Sequence, residues 1–363
     1  MTEAQKPHQF PCQQCGAELT FAPGKEALDC VYCGFSNPIE GIKGEVVEHD
    51  YHQVLAQRAR ISDQVQDRVV KCGMCAAEFE VTAHQTSDRC AYCDTPIVVE
   101  ATNKNLIPAS HLVPFVIDVR RAREQFRAWL KTRWFAPNSF KKQARQDAAL
   151  KGMYAPYWTY DSDTYSDYKG MRGDDYYVTE TYTTTENGRS VTRTRQVRRT
   201  RWTSVSGRVY NTFDDVLVLG SHSLPKRYAD ALEPWDLGQL TKYEDSYVSG
   251  FGCEVYQVNL EQGFEEATKI MDAHIRQSVC RDIGGDHQRI TWLHTEYNDI
   301  TFKHILLPIW VSAYRYRRKV WTFLVNGQTG EVQGERPYSW IKITALSVTV
   351  AAIVGTLIWY FNQ

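Results

Sequence analysis

In the stretch "VPFVIDVRRAREQFRAWLKTRWF" the apolar residues first run together and then recur every three or four positions. That change of period predicts a short strand followed by a helix beginning after the capping residue Asp118, with Ala122, Phe126, Trp129, Leu130 and Trp134 turned to a core. The same order returns in "CEVYQVNLEQGFEEATKIMDAHIRQSV", where Phe264, Ala267, Ile270, Met271, His274, Ile275 and Val279 fall near one helical face. After each helix comes a related apolar strand, "MYAPYWTYD" around Pro156 and Trp158, then "HILLPIWVSAY" around Pro308 and Trp310. The pattern predicts a body of two related halves, the Pro and Trp residues setting strand edges and packing. Earlier, "HDYHQVLAQRARISDQVQDRVV" predicts a short helix with Tyr51, Val54, Leu55 and Ala59 on one face. Later, Asn326-Gly327 and Thr329-Gly330 mark turns between further strands.

A different period, strict alternation, governs residues 174–202. Asn187-Gly188 separates two runs rich in Thr, Tyr and Val, the composition of a two-residue hairpin turn. The turn fixes a register: Glu186 opposite Arg189, Tyr182 opposite Arg193, Glu180 opposite Arg195, Val178 opposite Val197 and Asp174 opposite Arg201. Read linearly, Arg189, Arg193, Arg195, Arg198, Arg199 and Arg201, interleaved with Tyr176 and Tyr182, form a candidate partner or nucleic-acid surface. In register, several of these arginines already face carboxylates or tyrosine rings. Few apolar residues lie on either face, so the hairpin is expected to project as a solvated ribbon.

Residues 343–361 are predominantly apolar and carry no charge, enough for about 28 Å of helix at about 1.5 Å per residue. Tyr338, Trp340, Trp359 and Tyr360 flank the run as interfacial aromatics, and Arg336 and Lys342 lie on its N-terminal side. These features predict a single-pass, tail-anchored membrane protein with the large N-terminal part cytoplasmic. Ala351 and Gly355 form a small-xxx-small pair, a spacing that favours association into a homo-oligomer.

Eight of the ten cysteines fall in CxxC pairs, "CQQC…CVYC" at Cys12, Cys15, Cys30 and Cys33, and "CGMC…CAYC" at Cys72, Cys75, Cys90 and Cys93. With no secretory signal at the N-terminus, this spacing points to metal ligands in a reducing compartment. Two four-thiolate Zn2+ sites are predicted, each with a closed shell and hence structural; iron in a rubredoxin-like site is the chemical alternative. Gly16 and Gly34 follow the second cysteine of each pair in the first module and ease the turn around the sulfur. His49, His52 and His84 lie near complete ligand sets and read as surface residues. The chain has a formal net charge of -1, and residues 1–111 carry 15 Asp and Glu against 9 Lys and Arg. That sign opposes phosphate binding by the zinc modules, so protein contact is the favoured role.

Catalytic chemistry finds no support in the motifs. Gly24-Lys25 is followed by Glu26 and lacks the upstream glycine of a P-loop. Asp286, His287, His294, Glu296 and His304 match no nucleophile or metal spacing. Asp161, Asp163 and Asp167 resemble a calcium loop only loosely and read as surface turns. Cys253 and Cys280 read as isolated buried thiols.

The paired CxxC modules, with "GMYAPYWTYD", "TETYTTTENG", "RQVRRTRW", "DIGGD", "TFKHILLPIWVSAYRY" and "VNGQTGEVQGERPYS", resemble a bacterial family of membrane-anchored double zinc-ribbon proteins. Its members often bear the label primosomal protein N' (replication factor Y), a superfamily II helicase. The resemblance covers nearly the whole chain; the missing P-loop and the apolar tail argue against helicase activity. The expected fold is α+β: a first zinc ribbon (1–45), a linker helix (46–70), a second ribbon (71–108), a duplicated antiparallel-sheet-plus-helix body (109–340) and a C-terminal transmembrane helix (341–363). The expected function is that of a non-enzymatic adaptor recruiting protein partners, such as membrane scaffold or stress proteins, to the bilayer. The alternative is a nucleic-acid-binding, primosome-like factor without its own ATPase.

Overall fold

The computed structural model describes residues 10–39, 46–60, 67–71, 77–80, 101–104, 106–147, 150–186, 189–317 and 319–361. Strands β1 (Leu19–Phe21), β2 (Ala27–Cys30) and β3 (Ser36–Pro38) form a small antiparallel sheet. Strand β4 (His49–Asp50) leads into helix α1 (Tyr51–Arg60), and β5 (Asp67–Lys71), β6 (Glu78–Glu80) and β7 (Ala101–Lys104) form a second small sheet. The body follows: β8 (His111–Leu112), α2 (Val119–Thr132), α3 (Asn138–Asp147), β9 (Lys151–Glu186), β10 (Arg189–Leu219), α4 (Lys226–Asp230), β11 (Thr241–Lys242), α5 (Asp245–Val248), β12 (Gly252–Cys253), α6 (Leu260–Ile283), β13 (His287–Tyr316), β14 (Lys319–Asn326) and β15 (Val332–Gly334). Helix α7 (Trp340–Phe361) ends the described chain.

The main sheet runs β10-β9-β13-β14-β15, with β9 and β13 antiparallel at its centre. One face carries α2 over Trp310, Phe323 and Phe115, and α6 over Trp158, Tyr160 and Phe302. The other face packs Met153, Tyr157, Ile305 and Ile309 against Leu224 and Leu232 beside α4. Both predicted helices form where the periodicity places them. Asp118 caps α2 by accepting from the Arg121 N–H, and Asn259 and Gln262 close a reciprocal capping box on α6. Ala122, Phe126 and Leu130 of α2, and Ala267, Met271, Ile275 and Val279 of α6, are buried as expected. Trp134 is not: α2 stops at Thr132, so the ring leaves the stripe and stands in solvent.

The two halves repeat one set of contacts. The Trp158 indole donates to the Val258 carbonyl at 2.9 Å, and the Trp310 indole to the Ile117 carbonyl at 2.8 Å, in each case the residue before a helix cap. Gly220 O accepts from Gln257 and Val258; Gly327 O accepts from Val116 and Ile117. Gly220 N–H donates to Pro156 O and Gly327 N–H to Pro308 O. The short parallel strands β8 and β12 occupy matching places beside β13 and β9.

Three expectations are corrected here. Pro156 and Pro308 sit inside the two central strands, not at the sheet edge. Each stands one residue past the point where its outer neighbour ends, β10 at Tyr157 and β14 at Ile309, so its missing N–H removes no ladder bond. Asp161, Asp163 and Asp167 are strand residues of β9 and not turns, their alternation placing them on one face. Cys253 and Cys280 are half-buried instead of fully enclosed.

The hairpin register is the one that the turn sequence implies, from Arg189↔Glu186 to Arg201↔Asp174; Asn187 and Gly188 themselves lie outside the described residues. The strands run far beyond 174–202, however. β13 joins at His287↔Gly173, so only the outer segment is two-stranded, about 40 Å at about 3.3 Å per residue.

Because each indole satisfies a carbonyl that water does not reach, Trp158→Phe and Trp310→Phe are each expected to destabilise the body by about 1–3 kcal/mol. Thermal or denaturant unfolding of the detergent-solubilised protein checks this; a cost confined to one of the two would break the correspondence between the halves.

Candidate metal centre

The first cysteine module builds a clamp from two like turns. Gly16 N–H donates to Cys12 O at 2.8 Å and Gly34 N–H to Cys30 O at 2.9 Å, and both glycines adopt φ +74°. That left-handed conformation is one a side chain rarely takes, which explains glycine after the second cysteine of each pair. The register Leu19↔Cys30 then brings the two turns together. Cys12 Sγ lies 3.5 Å from Cys33 Sγ, Cys15 Sγ lies 3.5 Å from Cys30 Sγ, and all four sulfurs fall within 4.8 Å of one another. Four sulfurs at Zn–S distances of about 2.3 Å would stand about 3.8 Å apart, so the cluster is close enough to hold one metal ion.

Backbone N–H groups favour the thiolate at each cysteine of this clamp, but the neighbouring sulfurs oppose them and leave Cys15 above its ordinary value and Cys33 pushed up to about 12. The N–H of Cys33, aided by that of Tyr32, holds the Cys30 thiol down at about 6. Against the cost of burial, the N–H groups of Cys15 and Gln14 keep Cys12 below its ordinary value. Cys72, Cys75, Cys90 and Cys93 lie outside the described residues, as does His84.

The module is seated on the body. Phe21 N–H donates to Ser249 O, the Ser249 hydroxyl to Leu19 O, and Gly24 N–H to Phe115 O. Phe21 packs 5.4 Å from Tyr247, and Leu19, Phe21 and Leu28 join the core that contains Phe115 and Trp310. The opposite end is open. Val31 and Tyr32, inside the second CxxC turn, are 77% and 84% exposed, with Phe35 beside them.

On the hairpin, Glu180 receives Arg199 at 2.6 Å and Arg195 at 3.3 Å, and Asp175 receives Arg198 at 3.4 Å. Arg195 lies over the Tyr182 ring and Arg201 over that of Tyr176. Four of the six candidate arginines therefore have local partners in carboxylates or rings. Arg193 faces Tyr182 in register and Arg189 faces Glu186.

The remaining titratable candidates do not converge on a reaction centre. His294 stacks on Trp292 and lies opposite Asp167, whose carboxylate is taken by Arg208 at 2.6 and 2.7 Å. Glu296 lies opposite Tyr165. His287 pairs with Asp175 at 3.2 Å, and Asp286 accepts from the Asp175 N–H. His304 is enclosed between Trp158 and Tyr256, with Nδ1 2.8 Å from the Ile107 carbonyl and Nε2 buried without a hydrogen-bond partner.

One ionic group escapes sequence inspection. Lys303, 2% exposed, reaches Asp215 at 2.7 Å, Glu48 at 2.9 Å and Asp161 at 3.5 Å. Burial opposes its charge, but hydrogen bonds to Asp215 and Glu48 outweigh that and hold the ammonium above its usual range. The hydrogen bond from Lys303 draws Glu48 down in turn, while burial pushes Asp161 up. Asp161, Asp214 and Asp215 are also spaced closely enough for a cation, and Lys303 supplies one from the protein itself. Glu48 lies just before β4, so this group fastens the segment after the first module to β13. Asp161 reads in the sequence as a surface turn and gives no sign of it.

No protein-family model matches the chain, and no solved structure matches it. A curated relative, the Bacillus subtilis protein named "Uncharacterized protein YdjG", is 25% identical over 344 residues, covering 93% of this chain and 92% of its own length.

Burial holds the His304 imidazole down at about 4. A folded-state value below the ordinary one of 6.5 means that its contribution is complete above pH 6.5 and is lost as pH falls toward 4, because the unfolded chain takes up the proton first. The loss attributable to this group is about 3 kcal/mol. The difference in unfolding free energy between wild type and His304→Gln is expected to shrink over that window; a constant difference would contradict the assignment.

Proposed function

We propose that the protein is a non-enzymatic, single-pass membrane adaptor that displays two zinc ribbons on a duplicated α+β body at the cytoplasmic face of the bacterial inner membrane. The observation that carries this reading is the exposed apolar tip of the first clamp. Val31 and Tyr32 are held rigidly by the turn around the metal ligands, while the other side of the module is buried in the body. A rigid aromatic with little side-chain entropy to lose is the usual anchor of a protein interface. The second module echoes it with Ala91 and Tyr92 between its last two cysteines.

The other parts fit the same role. Zinc suits a closed set of four thiolates that stabilises a unit too small to fold by its apolar core alone. The repeated indole, glycine and capping contacts support a body that arose by duplication. Helix α7 is long and apolar enough to cross a membrane, and its residues are not buried by the rest of the protein. The resemblance to proteins labelled as replication factors carries less weight, since most of the hairpin arginines that would meet phosphate are matched by Glu180, Asp175 and tyrosine rings.

Metal analysis of the purified full chain is expected to find two zinc ions, falling to one in Cys30→Ser; iron, or an unchanged content in the variant, would contradict the assignment. Recovery of partners through an N-terminal tag from the native host is expected to fall by at least about tenfold in the Val31→Asp, Tyr32→Asp double variant. Zinc content and membrane retention should not change. An unaltered set of partners would sink the adaptor reading at this tip, and enrichment of DNA and primosome components would restore the replication reading.

A further inference from the structure

Helix α7 is tied to the body at its first turn. Lys342 Nζ donates to the carbonyls of Trp134 at 3.0 Å and Ala136 at 2.9 Å and to Asn138 Oδ1 at 2.8 Å. Ser339 N–H donates to Phe135 O at 2.8 Å. The loop between α2 and α3 therefore lies at the mouth of the apolar helix. On the reading that α7 spans the bilayer, which this inference rests on, the loop is at the level of the lipid headgroups. Trp134, displaced from the core stripe, is 55% exposed there, together with Tyr338 and Trp340. Rings with an apolar body and a polar edge prefer that level of a membrane.

The charge at this level is strongly biased. Residues 119–147 contain nine Lys and Arg against two Asp and Glu, in a chain whose net charge is -1. Among the described residues, Arg120, Arg121, Arg123, Arg127 and Lys131 form no ion pair. Arg133 directly precedes Trp134 in that loop, and Arg336 and Arg227 lie within electrostatic reach of Tyr338 beside the helix mouth. Arg336 lies 5.4 Å from the Tyr338 ring centroid, and Arg336, Arg227 and Arg133 together draw the Tyr338 phenol below its ordinary value. Arg133 is itself pushed down, by burial first and then by the neighbouring charge of Arg336, with Glu331 the acid that opposes this. Like charges held near one another make a site that gains from an added anion.

We propose that Arg133, Arg227 and Arg336 bind the anionic phospholipid headgroups of the leaflet that α7 enters. The α2–α3 loop is then a second membrane contact, with Trp134 seated among the headgroups. One helix alone leaves the body free to swivel about it; a second contact of this kind fixes which way the zinc clamp and the hairpin face.

The test uses the full chain reconstituted in phosphatidylcholine vesicles with trace spin-labelled phosphatidylglycerol or trace spin-labelled phosphatidylcholine. Wild type is expected to hold phosphatidylglycerol in preference to phosphatidylcholine. The triple variant R133Q/R227Q/R336Q is expected to lose at least about fivefold of that preference, while R133K/R227K/R336K retains it. Equal affinity for the two lipids in wild type, an undiminished preference in the glutamine variant, or loss in both triple variants would overturn the assignment. If the chain instead washes off the vesicles at high salt and alkaline pH, the membrane-span reading falls first and this inference with it.

Discussion

The carbonyls of Ile117 and Val258, each buried one residue before a helix cap, have no water to turn to, and each is met by an indole. Trp310 reaches across to Ile117, and Trp158 reaches across to Val258. Each ring belongs to a central strand, so satisfying the cap also fixes the distance between helix and sheet. The glycines that follow β10 and β14 complete the arrangement, because the hydrogen bonds from Gly220 and Gly327 to the strand prolines need the backbone close. A Cβ on Gly327 would lie 2.7 Å from the Pro308 carbonyl oxygen. The cysteine clamp, bonded through Gly24 to Phe115, and the apolar helix, bonded through Lys342 to Trp134 and Ala136, attach at the two ends of the α2 segment.

The sequence revealed those parts whose geometry is determined by near neighbours. An Asn-Gly turn sets the pairing of everything on either side of it, so the hairpin register could be written residue by residue. Two CxxC turns with glycine behind them can close only on one point, and helix caps announce themselves within four residues. What could not be read depends on contacts made at long range. Lys303 gives no sign in its own neighbourhood that it is buried, and the Glu48 that receives it lies 255 positions away. The full length of β9 and β10 was hidden for a similar reason: their inner portions are apolar or mixed according to whether α6 covers them. Trp134 misled because helical spacing was extended one turn past the end of α2.

Buried charge is used sparingly and as a fastener. Lys303 with its three carboxylates brings little net stability to a fold, since the attraction among these groups must first recover the cost of taking them out of water. It does discriminate, because an apolar residue at Glu48 or Asp161 would leave the buried ammonium with one carboxylate fewer to balance it. The segment that follows the metal clamp thus has one seat on β13 and no adjacent register that would serve.

Strand β10 forms the outer margin of the main sheet for 31 residues. An unpaired margin of that length is a template for pairing with a second chain. The irregularity between Phe213 and Val216 bends the margin, and beyond it the strand carries seven arginines from Arg208 outward to Arg189. Two such margins approaching each other bring arginine against arginine. Like charge then opposes the zipping of two copies into a continuous sheet.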